Sequence, residues 1–94
     1  MTRKPILCLM AAGLMLAGCA LPPDGVSREK IAEYEAAVAS IGCVLKHESD
    51  YLPVELQAGL TREQTLAITK YQLAADRAES LEDGGVKLTT GACA

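Results

Sequence analysis

An uncharged apolar run, Ile6 to Leu16, stands directly behind the basic residues Arg3 and Lys4 and divides the chain into two parts. The run is too short to cross a bilayer, which takes roughly 20 apolar residues. A charged start, an apolar centre of this length and a small-residue exit through Ala17 and Gly18 form the pattern of a secretory signal. Only the remainder of the chain is then available to fold. The expected division is a leader over residues 1–18, a short tether over 19–26 and one domain over 27–94.

The exit of the run is more specific than a small-residue site. Leu16-Ala17-Gly18-Cys19 resembles the lipobox of bacterial lipoproteins. In that family the cysteine thiol receives a diacylglyceryl group. A dedicated peptidase then cuts before the cysteine, and the new amino group is usually acylated. The resemblance covers residues 1–19 and implies that Cys19 is the lipidated first residue of the mature chain, with Leu16, Ala17 and Gly18 read by the peptidase. No cofactor is implied beyond these covalent acyl chains. Two or three chains hold a small protein firmly, at about 0.8 kcal/mol per buried CH₂. Ala20 occupies the position where an Asp would favour inner-membrane retention. The resemblance therefore implies a periplasm-facing anchor, with the outer membrane favoured.

Removing residues 1–18 leaves 76 of the 94 residues. The leader takes two of the nine basic residues and none of the twelve acidic ones, so the mature chain carries a formal net charge of −5. Such a surface disfavours nucleic acid and anionic headgroups as partners. The core is light, since the chain has no Phe and no Trp. A domain of this size and composition usually needs a staple. Of the four cysteines, Cys8 leaves with the leader and Cys19 is spent on lipid, both by implication of the lipobox. Cys43 and Cys93 then remain, in an export pathway where disulfides persist. A bridge between them is expected, with two free thiols or a metal site shared with His47 as the alternatives.

After the tether Ala20-Leu21-Pro22-Pro23-Asp24-Gly25, Ser27 is placed to cap a first helix, with Val26 and Ile31 at the positions of a hydrophobic staple. Ile31, Tyr34, Val38, Ile41 and Leu45 recur at spacings of three and four and predict one buried stripe. Glu29, Glu33 and Glu35 are expected in solvent. Gly42 fits a C-terminal cap. A short strand over 43–46 follows, then the polar stretch His47-Glu48-Ser49-Asp50, read as a loop. Ser49 or Asp50 is placed to start a second helix that runs to Leu56 or Ala58. Gly59 ends it, and Thr61-Arg62-Glu63-Gln64 fits a capping box for a third helix. That helix is read as long, with Ala67, Tyr71, Ala74, Ala78 and Leu81 as the centre of a wide apolar face flanked by Leu66, Ile68, Leu73 and Ala75. Glu82-Asp83-Gly84-Gly85 breaks it, and residues 86–90 alternate as a strand.

The expected fold is therefore α+β, mostly α: helix, strand, helix, helix, strand, with the two strands side by side and one disulfide. In order and turn it resembles a winged-helix or helix-turn-helix module. The charges of the third helix, Arg62, Lys70 and Arg77 against Glu63, Asp76, Glu79 and Glu82, do not make the basic face that DNA requires.

The candidate chemistry is thin. His47 with Glu48, Asp50 and the two cysteines can be drawn as a metal site, and Cys43 with His47 as a nucleophile and base. An exposed histidine beside a structural disulfide is the simpler reading. Neither Cys-x-x-Cys nor a haem attachment motif is present. Glu33 and Glu35 read as a solvated helix face, and Tyr34, Tyr51 and Tyr71 as core or core-edge aromatics. The chain thus reads as a non-catalytic lipoprotein that docks onto a protein partner of the envelope. A structural envelope lipoprotein is the alternative, and a small metal- or thiol-dependent protein using His47, Cys43 and Cys93 comes third.

Overall fold

The computed structural model describes residues 21–94. The elements in order are helix α1 (Arg28–Ser40), strand β1 (Val44–Leu45), helix α2 (Glu48–Ala58), helix α3 (Arg62–Ala74), strands β2 (Ala78–Ser80) and β3 (Val86–Leu88), and a closing 3₁₀ turn, Gly91–Cys93. The fold is a small α+β domain of three helices on a three-stranded antiparallel sheet of order β1-β3-β2. Val44 pairs with Lys87, and Ala78 with Leu88. The two strands expected from the sequence are neighbours.

Local chemistry sets the helix starts. The Ser27 hydroxyl accepts from the Lys30 N–H at 3.1 Å, and Val26 and Ile31 are both buried. At α3 the Thr61 hydroxyl accepts from the Gln64 backbone N–H while the Gln64 side-chain oxygen Oε1 accepts from the Thr61 N–H, each at 3.0 Å. This is the reciprocal capping box expected from the sequence. The start of α2 differs from the expected one. His47, read as loop, is its N-cap residue, and Asp50 sits one turn inside. The Asp50 carboxylate accepts from the Lys46 and His47 N–H groups at 2.9 and 2.8 Å. These bonds favour the charged form and lower the Asp50 pKa.

Each helix ends on a left-handed residue. Gly42 and Gly59 do this for α1 and α2, where a positive φ suits glycine. After α3 the left-handed residue is Asp76, at φ 63°. The Arg77 N–H donates back to Gln72 O at 2.8 Å and the Asp76 N–H to Leu73 O at 3.2 Å, a Schellman closure without glycine. The third helix therefore stops at Ala74 rather than running through Leu81. Ala78 belongs to β2, a strand not anticipated.

The buried face of α3 also differs from the expected stripe. Ile68, a flank of the expected face, points inward together with Thr65, Thr69 and Gln72, whereas Ala67 and Tyr71 are only partly buried and Ala74 is exposed. The reason is that the polar members are satisfied in place. The Thr65 hydroxyl donates to Thr61 O at 2.9 Å and the Thr69 hydroxyl to Thr65 O at 2.8 Å. With that proton spent, Thr69 Oγ1 accepts from the Tyr34 hydroxyl at 2.7 Å. Tyr34 has no solvent exposure and stands at the centre of the core with Val38, Leu45, Val54, Ile68 and Leu88. Burial pushes its pKa up to about 12.

Cys43 and Cys93 are joined by a disulfide with a Cα–Cα distance of 5.7 Å. It ties the start of the sheet to the C-terminal turn.

Candidate binding groove

The sequence-derived candidates separate in space. Leu16, Ala17, Gly18 and Cys19 lie outside the described residues. Cys43 and Cys93 are committed to each other. His47 is exposed at the head of α2. Among the described residues no three His, Cys, Asp or Glu side chains converge as a metal-binding group.

A concave feature among the described residues lies elsewhere. A groove of about 570 Å³ runs along α1 where it faces the end of α3. Arg28, Ile31, Ala32 and Glu35 form its α1 wall, spaced so that they share one helical stripe. Tyr71 of α3 and Arg77 of the turn after it form the opposite wall, and Leu21 and Pro22 of the tether close one edge.

Glu35 is the pivot. The sequence reading placed it in solvent with Glu29 and Glu33, but its side chain is only 17% exposed. Its Oε2 accepts from Gln72 Nε2 at 2.6 Å and from Arg77 Nη2 at 2.9 Å. These long-range bonds lock α1, α3 and the α3–β2 turn together. Gln72 is fully buried, and its Oε1, like Arg77 Nε, has no partner. A buried polar cluster in so light a core is costly unless satisfied. Its concentration at one end of the groove marks that end as the polar one. The sequence carried one signal for it, the i, i+3, i+4, i+7 stripe Arg28-Ile31-Ala32-Glu35, half apolar and half charged.

A second cluster lies at the mouth of the α2–α3 turn. The Arg62 guanidinium donates to both Glu48 oxygens at 2.9 and 2.8 Å and to Glu55, and it lies 4.8 Å from the Tyr51 ring centre. The bond from Arg62 lowers the Glu48 pKa and those to the two acids raise that of Arg62. One guanidinium serves both carboxylates, so the cluster holds α2 to α3.

The chain matches no family model, no curated protein and no solved structure.

Proposed function

We propose that the protein is a lipid-anchored, non-catalytic module of a bacterial envelope. Diacylglyceryl and N-acyl chains on Cys19 hold it facing the periplasm, on the outer membrane by preference, and it docks there onto a protein partner. The observation that carries this reading is the tetrapeptide Leu16-Ala17-Gly18-Cys19 at the end of an uncharged apolar run. Two further features support it. The disulfide fits an oxidising compartment. The folded domain starts at Val26, a few residues beyond Cys19, so it would stand close to the membrane.

A protein partner is favoured over nucleic acid by charge. The outward side of α3 carries Glu63, Leu66, Lys70 and Ala74, one acid against one base, which cannot neutralise a row of phosphates. The groove offers arginine, tyrosine and an already paired carboxylate, a set suited to recognition.

The anchor is tested by Cys19→Ser. The variant is expected to accumulate as uncleaved precursor or in the soluble fraction, while the parent is membrane-bound and cleaved. Intact mass of the mature protein reports the acyl groups. Normal maturation and membrane retention of Cys19→Ser would refute the anchor. Crosslinking on membranes tests docking, and recovery of no reproducible partner would count against it.

A further inference from the structure

We infer that the groove between α1 and α3 is a seat for the free carboxy-terminal end of an extended polypeptide, its carboxylate on Arg28 and a backbone N–H on Glu35. The inference rests on the docking reading above and assigns it a place, independently of the lipid anchor.

Charge gives the polarity of the seat. Arg28 is exposed and has no ion-pair partner among the described residues, whereas Arg77 is matched by Glu35. One end of the groove therefore carries an unopposed guanidinium on a mature chain that is acidic overall. At the other end Glu35 uses Oε2 for both of its bonds, and Oε1 makes no hydrogen bond within the described residues. That oxygen is an acceptor for a neutral donor, since Arg77 already balances the charge. Between the two ends α1 contributes the aliphatic Ile31 and Ala32, with Tyr71 on the opposite wall and Leu21 and Pro22 at one edge.

Length completes the match. Arg28 and Glu35 are about 10 Å apart along the helix axis, at 1.5 Å per residue. An extended chain covers that in about three residues. A peptide terminus supplies each group in order: a carboxylate suited to a guanidinium fork, an aliphatic side chain, then an amide N–H. A lipid phosphate would satisfy Arg28 alone and would leave the Glu35 acceptor at the far end unused.

The test uses the full-length protein in neutral detergent micelles, observed by amide NMR. The probe is N-acetyl-Ala-Leu-Ala with a free carboxylate, compared with its C-terminal amide. The acid is expected to shift the Ile31, Ala32 and Tyr71 resonances saturably, with a Kd on the order of 1 mM. The amide should bind roughly fivefold more weakly, the loss of one exposed ionic contact. Arg28→Gln alters an exposed position in the first turn, so it should keep the fold and abolish the difference between the two peptides. Equal binding of acid and amide, no response to either, or an unchanged preference in Arg28→Gln would overturn the inference. So would saturation by dihexanoyl phosphatidylglycerol with no response to the peptide. Failure of the peptide while membrane crosslinking still recovers a partner would remove the groove as the seat and leave docking standing.

Discussion

Tyr34 shows how much one side chain decides in a core without Phe or Trp. Its ring fills the centre, and its hydroxyl finds a single acceptor, Thr69 Oγ1, itself tied to the α3 backbone. Tyr34→Phe should cost about 1 kcal/mol, the typical net value of such a bond, measured as a shift in the urea midpoint at constant slope. The pH dependence has a definite sign. The folded pKa, about 12, lies above the ordinary value of 10, so the folded state resists losing the phenolic proton. This contribution is fully present below pH 10 and is lost as pH rises toward and through 12, about 3 kcal/mol in all. Urea midpoints taken across that interval should fall more steeply in the parent than in Tyr34→Phe. Parallel curves would mean that Tyr34 does not govern the alkaline limb.

At the scale of elements, the ends of helices matter more than their middles. All three close on left-handed residues, two of them glycine. Asp76 is the exception, and it carries the Cβ cost that glycine avoids. Asp76→Gly should stabilise the domain, by up to about 1 kcal/mol, read as a raised thermal midpoint. Loss of stability instead would show that the Asp76 side chain contributes more than its backbone costs. The same closure ends α3 early enough for β2 to pair with β3, with the Thr89 N–H donating to Arg77 O at 2.9 Å. It also brings Arg77 onto Glu35, so the turn that stops the helix builds the polar end of the groove.

For the whole molecule the disulfide is the dominant constraint. Cys43 and Cys93 are 50 residues apart, so the bridge encloses most of the described chain. By the chain-entropy estimate, which is model-dependent, it contributes about 4 kcal/mol. Small domains have total stabilities on the order of 5–15 kcal/mol, and a core this light belongs near the low end. Reduction, or the Cys43→Ser/Cys93→Ser double variant, should therefore leave a substantially unfolded population at 37 °C by far-UV circular dichroism. A reduced protein with an unchanged urea midpoint would show that packing alone suffices.

Local grammar was legible before any fold was known. Ser27 and Thr61 start helices, Gly42 and Gly59 end them, and the strands beside Cys43 and before Cys93 pair as expected. The starts and stops depend on groups three to five residues apart, so the sequence alone determines them. The face that α3 buries, its end at Ala74, the strand β2 and the Glu35 cluster were decided only by tertiary structure. Thr69 is buried because Tyr34 meets it from 35 residues away, and Gln72 and Arg77 turn inward because Glu35 meets them from 37 and 42 away. A polar side chain enters a core only where a partner awaits it. Partners so distant come together only when the chain has folded.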